Sequence, residues 1–145
     1  MTFTTDGGVT AFFKAFEEAL KSKDPDPMTA IYHTSFLFGG PKGAQAVKLE
    51  DFLKVIPHRA EFARKIGLTQ TRLVSAQAAP LDAVYVLATT VWEMTVERPG
   101  TERHLESTKA SYIMLKQDNS YRIVVQIDHQ DLMERLEKNL TERFP

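Results

Sequence analysis

Alternating apolar and polar residues mark the second half of the chain as strand-forming. The alternation covers approximately residues 68–79, 82–98, 102–117 and 120–129. A period of two is typical of strands that bury one face. The connecting segments APLD, RPG and QDNS consist of turn-forming residues. The pattern therefore predicts a four-strand meander.

The first half of the chain has a helical pattern instead. Apolar residues at helical spacing predict an amphipathic helix over residues 8–22. The Asp-Pro-Asp-Pro break at residues 24–27 ends it and begins a second short helix that extends to about His33. A third helix is expected in KLEDFLKVIPHRAEFARKIG. It should kink or restart at Pro57, because proline donates no backbone hydrogen bond and clashes with the preceding turn.

The remaining segments complete the predicted architecture. SFLFGGP predicts a short strand, and we interpret FGGPKGA as a flexible lip because it lacks the ending of a phosphate loop. QDLMERLEKNLTERF predicts a closing helix. Helices followed by a meander predict an α+β fold, and long strands twist strongly. We expect one domain over residues 1–145, a cone-shaped, curved antiparallel sheet wrapped around three N-terminal helices, with a C-terminal helix.

Composition narrows the class of protein. The chain is 43% hydrophobic and 26% charged, as in ordinary soluble globular proteins. Its 18 basic and 19 acidic residues create no overall field that attracts nucleic acid or an anionic membrane. It has no cysteine, which excludes thiolate catalysis and cysteine-bound zinc, and no leader or membrane-length apolar run. We expect a cytoplasmic protein without a cofactor, a nucleic-acid partner or a membrane partner.

The last strand, YRIVVQID, has two different files of side chains. Tyr121, Ile123, Val125 and Ile127 form an apolar file, whereas Arg122, Val124, Gln126 and Asp128 form a file that is half polar. An inward polar file would place chemistry inside the cone. An inward apolar file would be ordinary core. The sequence leaves both assignments open.

The order of elements resembles the nuclear-transport-factor-2-like superfamily, which includes SnoaL-like polyketide cyclases and ketosteroid isomerases. The resemblance covers about residues 8–132. It is carried by FFKAFEEALKSKDPDPMTAIYHTSFLFGGP, which is similar to the family's opening helices and first strand, and by KQDNSYRIVVQIDHQ, which is similar to its final hairpin. The resemblance implies the cone fold, but the fold hosts many functions.

The same alignment argues against ketosteroid isomerisation. The position that resembles the isomerases' base is Gly40, and the position that resembles their oxyanion-binding tyrosine is Phe16. Their second oxyanion acid corresponds to Ser111. Glycine cannot accept a proton and phenylalanine cannot donate a hydrogen bond to an enolate. The isomerase mechanism is therefore not expected here.

A two-residue hairpin turn at Asp118-Asn119 would pair Lys109 with Asp128 and Ser111 with Gln126. The resemblance puts this file on the concave face. Asp128 would then be the candidate base. Lys109 would be the group that polarises a ligand or shifts the pKa of Asp128. The alternative is a solvated outer face with a weak surface ion pair. An additional bulge residue would shift the register and reassign the faces.

Aromatic side chains would supply the apolar wall of such a pocket. We expect ligand contacts from Trp92, Tyr32 and Phe16, although each is as well suited to an ordinary core. His129 ends the last strand at the predicted rim and completes the candidate set. The four histidines are scattered without metal-ligand spacing, so no metal site is expected.

Two hypotheses follow for function. The first is a protein that binds a small hydrophobic or partly polar ligand inside the cone, with cofactor-independent isomerase, cyclase or lyase chemistry as an open question. The second is a noncatalytic dimeric binding or scaffold module. A homodimer through the outer sheet face is expected in either case, because an exposed file of Tyr121, Ile123, Val125 and Ile127 would need cover.

Overall fold

The computed structural model describes residues 1–22, 24–132 and 134–136 of the chain. Its helices are α1 (Gly7–Lys21), a 3-10 helix (Asp26–Ala30) and α2 (Leu49–Lys65). Its strands are β1 (Tyr32–Gly40), β2 (Gly43–Lys48), β3 (Leu68–Pro80), β4 (Tyr85–Val96), β5 (His104–Gln117) and β6 (Ser120–Asp128). The predicted α+β class and the curved, cone-like sheet are confirmed.

Helix α1 fills the concave side of the sheet. It begins after Asp6, whose side chain accepts a hydrogen bond from the N–H of Val9 at 3.0 Å. Its buried face consists of Val9, Phe12, Phe13, Phe16 and Ala19. Glu17 joins the helix to β3, because its carboxylate accepts a hydrogen bond from the N–H of Leu73. This contact lies where the register between β3 and β4 shifts.

The six strands form one sheet in the order β2-β1-β6-β5-β4-β3. The β3 to β6 meander is antiparallel throughout, as predicted, whereas β1 pairs with β6 in parallel. Thr4 covers part of the β3 edge by exchanging two backbone hydrogen bonds with Ala78, of 2.9 and 2.8 Å. Strand β2 is the other edge of the sheet, and a cleft opens between the β1–β2 hairpin and helix α2; we call this side the open end of the cone.

The β5–β6 hairpin has the predicted turn but not the predicted register. Asp118 and Asn119 both have positive φ, of 49° and 62°, as a two-residue hairpin turn requires. Leu115 lies opposite Arg122, as expected. A register shift then follows, since Met114 pairs with Ile123 but Ile113 pairs with Val125, which leaves Val124 as an extra residue. Such a bulge reverses the odd and even positions beyond it.

The bulge makes three predicted cross-strand pairs wrong. Asp128 lies opposite Ala110 rather than Lys109, and Gln126 lies opposite Tyr112 rather than Ser111. Ile113 does not face Val124. Each predicted pair is off by one residue because a regular ladder was assumed beyond the turn.

Two predictions for the region between residues 38 and 65 need correction. The segment interpreted as a flexible lip forms the β1–β2 hairpin, in which Gly40 pairs with Gly43. A restart of α2 at Pro57 is wrong, because the helix continues through this residue, whereas a kink there stays a prediction. Pro57 is exposed, so water can hydrate the carbonyl group that loses its hydrogen-bond partner. The short helix after the break ends at Ala30 and is a 3-10 helix.

The core has two parts. The larger part lies between α1 and the sheet and is rich in aromatic rings. The smaller part consists of Ile66, Val96, Leu132 and Leu136. Arg98 holds it together by donating to the carbonyl groups of Ile66 at 3.0 Å and Leu136 at 3.1 Å.

The predicted C-terminal helix lies mostly outside the described residues, of which positions 132 and 134–136 are helical. In the part of the chain that the structure describes, the helices are too short or too polar to cross a bilayer.

Candidate functional site

A chain of polar side chains runs from the interior of the cone to its open end. The hydroxyl of Tyr32 donates a hydrogen bond to Oε1 of Gln126 at 2.6 Å, and Nε2 of Gln126 donates to Oδ1 of Asp128 at 3.0 Å. Tyr32 and Gln126 are buried, with exposed fractions of 3% and 8%, while Asp128 is half-buried. The amide of Gln126 therefore couples a phenol to a carboxylate, and these three residues form what we call the polar chain.

Asp128 has an unusual environment for a carboxylate. Burial raises its pKa above the ordinary value of 3.8, and Asp131 acts in the same direction. The hydrogen bond from Gln126 and the positive charges of Arg59 and His129 oppose this rise. The net effect is that Asp128 keeps its proton to a higher pH than an exposed aspartate does.

A second polar cluster lies deeper in the cone. Nε1 of Trp92 donates to Oγ1 of Thr90 at 2.8 Å, and Oγ1 of Thr90 donates to the carbonyl of Ala110 at 3.4 Å. Burial raises the pKa of the Tyr112 hydroxyl, and the nearby polar side chains of Thr90 and Trp92 act in the opposite direction. Burial likewise raises the pKa of Tyr32, so both phenols are proton donors at neutral pH.

Phe16 lies at the centre of this region. Its ring centroid lies 5.6 Å from that of Trp92, 5.9 Å from Tyr32 and 6.4 Å from Tyr112. The expected wall residues Phe16, Trp92 and Tyr32 are therefore together, packed against one another as core. Gly40, at the end of β1, lies near the backbone of Asp128, since an added Cβ would be 3.9 Å from that carbonyl oxygen.

An aromatic cleft of about 290 Å³ opens beside the polar chain. Its lining consists of Phe36, Phe38, Gln45, Val47, Asp51, Phe52, Val55 and Arg59. The rings of Phe36 and Phe52 also contact Tyr32, at centroid distances of 4.4 and 5.0 Å. The Cζ atom of Arg59 lies 5.9 Å from the ring centroid of Phe38 and 5.7 Å from that of Phe52. Tyr32 thus links the polar chain to the cleft, because it packs against two of the cleft's lining rings.

The structure does not bring Lys109 and Ser111 to Asp128. Lys109 is exposed, and its neighbours Ala110 and Thr108 face the interior instead. Ser111 is half-buried on the outer face, where it lies opposite Ile127. Lys109 and Asp128 form no ion pair among the residues that the structure describes. The Val124 bulge is the reason, because it turns Ala110 and Tyr112 toward the inward polar residues of β6.

His129 is exposed, directly follows β6 and lies outside the polar chain; its predicted place at the rim stays a prediction. Its Nε2 atom is 2.7 Å from Oγ of Ser111, and its backbone N–H donates to the carbonyl of Lys109 at 3.0 Å. The described residues contain no cluster of three or more histidine or acidic side chains arranged for a metal ion.

Three residues of the site were missed by the sequence analysis: Arg59, Tyr112 and Thr90. A signal for Arg59 exists, because Phe52, Ile56 and Arg59 recur at intervals of four and three and so share one face of α2. For Tyr112 and Thr90 the signal is the alternation of inward and outward side chains along β5 and β4. The shifted register was needed to place Tyr112 opposite Gln126.

Solved structures with the same fold are similar to this chain at low sequence identity. An NTF-2 like protein of unknown function from Shewanella oneidensis is 13% identical, with 85% of this chain and 97% of that chain covered and a TM-score of 0.64. An NTF2-like superfamily protein from Salmonella enterica is 14% identical, with 83% and 86% covered and a TM-score of 0.61. The association domain of CaMKII from C. elegans is 13% identical, with 84% and 92% covered and a TM-score of 0.63.

No curated protein sequence matches the chain. A family model described as NTF2-like protein (DUF6841) matches residues 7–131, from the start of α1 to just beyond β6. That match spans α1, the 3-10 helix, α2, all six strands and the polar chain. The chain therefore belongs to the NTF2-like family.

Proposed function

We propose that the protein binds a small, mainly apolar molecule carrying an oxygen atom at the open end of the cone, and that Asp128 is the residue that exchanges a proton with it. The observation that supports this most is the hydrogen-bonded chain from buried Tyr32 through Gln126 to the half-buried carboxyl of Asp128. A buried polar chain that ends at a partly accessible carboxyl is typical of a binding site.

The chemistry of Asp128 suits a cofactor-independent isomerase, cyclase or lyase. Gln126 donates to Oδ1, which leaves Oδ2 to contact a ligand. Burial raises the pKa of the carboxyl, so it can donate a proton or a hydrogen bond closer to neutral pH than an exposed aspartate can. Arg59 takes the place that the sequence suggested for Lys109, as the cation near Asp128. Trp92 and Phe16 position the polar chain through packing.

A binding experiment tests this function. The protein is purified without denaturant, then denatured, and any released compounds are identified by mass spectrometry. In parallel, small oxygenated apolar compounds are screened for thermal stabilisation of the wild type, Asp128→Asn and Asp118→Asn. Asp118 is the matched control, because it is an exposed aspartate at the other end of β6.

We expect compounds that raise the melting temperature of the wild type and of Asp118→Asn, with affinity for Asp128→Asn reduced about tenfold, the effect of losing one charge-assisted hydrogen bond. Stabilisation that is equal in all three proteins, or no stabilisation by any compound together with no released compound, would contradict the proposal.

The outer face of the sheet favours a second function, that of a dimeric scaffold. Leu87, Ile113, Val125 and Leu37 lie in one row across β4, β5, β6 and β1. Leu37 and Ile127 are exposed, at 41% and 40%. The patch differs from the one expected from sequence, because Tyr121 and Ile123 face the core. A contiguous apolar row on a strand face needs cover by another chain.

Light scattering tests the dimer. We expect twice the mass of one chain for the wild type at micromolar concentration and the mass of one chain for Val125→Asp. The control is Gln77→Asp, a change at an exposed position of β3, and this variant should remain a dimer. A wild type with the mass of one chain would contradict the scaffold function and would leave the binding function untouched.

A further inference from the structure

The aromatic cleft has a floor of rings and two charged lining residues, Arg59 and Asp51. Phe36, Phe38 and Phe52 form the floor, with Val47 and Val55 beside them. Its volume of about 290 Å³ lies just below the range for small-molecule sites, roughly 300–1,000 Å³, so it suits a small ligand. Three phenylalanine rings in one cleft favour a flat apolar molecule, since aromatic rings make stacked and edge-on contacts with such partners.

Arg59 is an exposed cation that lies over two rings of this floor. Its guanidinium lies within 6 Å of two ring centroids, those of Phe38 at 5.9 Å and Phe52 at 5.7 Å. Arg59 forms no ion pair with any residue within 1–22, 24–132 and 134–136. The planar fork of a guanidinium matches a carboxylate and binds it through two parallel hydrogen bonds.

Asp51 marks the other end of the cleft. It precedes Arg59 by eight residues on α2, or about 12 Å along the helix axis at 1.5 Å per residue. Its Oδ1 lies 4.0 Å from Nζ of Lys54, an exposed pair that only partly offsets the acidic charge. A ligand that carries a carboxylate at each end would therefore meet repulsion at Asp51, whereas a monocarboxylate would not.

We infer that the cleft recognises flat, apolar monocarboxylic acids, with Arg59 binding the carboxylate and the three phenylalanine rings holding the body of the molecule. This inference rests on the proposed binding function and specifies its ligand class. The rings of Phe36 and Phe52, which contact Tyr32, would separate the bound acid from the polar chain by one layer of side chains. A carboxylate on Arg59 would also offset the positive charge that acts on Asp128.

Three matched compounds test the ligand class: 2-naphthoate, its neutral analogue 2-naphthamide, and 2,6-naphthalenedicarboxylate. Binding to the wild type, Arg59→Gln, Arg59→Lys and Arg64→Gln is measured by isothermal titration and by amide shifts of the labelled protein. Arg64 is the control, because it is an exposed arginine on the same helix that lies outside the cleft.

We expect 2-naphthoate to bind the wild type at least tenfold more tightly than either other compound. Arg59→Gln should lose this preference, Arg59→Lys should keep only part of it, and Arg64→Gln should keep all of it. The shifted amides should include those of Phe38, Val47 and Phe52.

Two results would overturn the inference while the proposed function stands. One is equal affinity for 2-naphthoate in the wild type and Arg59→Gln. The other is no binding of 2-naphthoate, although neutral oxygenated compounds stabilise the protein through Asp128. If no compound of either experiment binds, the proposed function fails together with the inference.

Discussion

Strand β6 builds two different environments on the two sides of Val124. Before this residue, Tyr121 packs its ring 6.0 Å from that of Phe12 and Ile123 is fully buried against the α1 side of the core. After it, Gln126 and Asp128 face the interior and form the polar chain. The first half of the strand is apolar core, and the second half is the candidate site.

One extra residue accounts for the difference. In a regular strand, residues two apart share a face, so an inward Ile123 would place Val125 and Ile127 inside and Gln126 in solvent. The bulge at Val124 reverses this order, and Ile127 is 40% exposed while Gln126 is 8% exposed. A single strand can thus supply both core and site, because a bulge changes which file faces inward.

The largest expected effect separates two isoleucines of β6. Ile123→Ala should lower the free energy of unfolding by about 2–5 kcal/mol, because it leaves a cavity in the packed half of the cone. Ile127→Ala, four residues later, should change it by less than about 0.5 kcal/mol, as is usual for an exposed position. Urea denaturation of both variants measures the contrast, and equal losses would contradict the assigned faces.

A smaller effect is expected in the polar half. Gln126→Leu should cost about 1–3 kcal/mol, because it leaves the Tyr32 hydroxyl without an acceptor and Asp128 without a donor. Adding Tyr32→Phe removes the stranded hydroxyl, so the double variant should lose less than the sum of the single losses. Urea denaturation of the four proteins gives a coupling energy, about 0.5–3 kcal/mol if the pair interacts. Strictly additive losses would show that the two side chains do not interact.

The smallest expected effect is a pH dependence with opposite signs at two aspartates. The pKa of Asp128 is raised above 3.8 in the folded protein. As the pH rises from 3.8, the unfolded chain therefore ionises more readily than the folded protein, and the wild type loses stability. The free energy of unfolding of Asp128→Asn, minus that of the wild type, should therefore be larger at about pH 7 than at about pH 3.

Asp82 provides the opposite case. Hydrogen bonds from the N–H groups of Tyr85 and Val84 lower its pKa below 3.8, so its stabilising effect is present at neutral pH and is lost in acid. The free energy of unfolding of Asp82→Asn, minus that of the wild type, should be smaller at about pH 7 than at about pH 3. Thermal melts across this range measure both differences, and the same sign for both variants would refute the contrast.

Much of the fold could be predicted from local sequence. The apolar spacing of α1, the alternation of the meander and the turn chemistry of Asp118-Asn119 each act within a few residues. Strand β2 was missed because GAQAVK has almost no apolar alternation, and most of its residues are exposed. Its pairing with β1 depends on the tertiary position of the hairpin, which the local pattern does not contain.

The site was harder to predict because it depends on the bulge. Val124 and Val125 are adjacent β-branched residues that suit a regular strand, and no glycine marks the extra position. Asp128 and Gln126 as site residues stay a prediction, but the partners predicted for them, Lys109 and Ser111, were wrong. Whether a polar file faces inward is decided by the register shift between Ile113 and Met114, a contact between two strands.

The most direct measurement is a carbon NMR titration of the side-chain carboxyl groups. With Asp128 inside the open end of the cone, its pKa should lie above 3.8, and that of Asp82 should lie below 3.8. In Gln126→Leu, the pKa of Asp128 should rise further, because the amide no longer donates to the ionised form. A pKa for Asp128 at or below 3.8 that does not change in Gln126→Leu would contradict the polar chain and the site built on it.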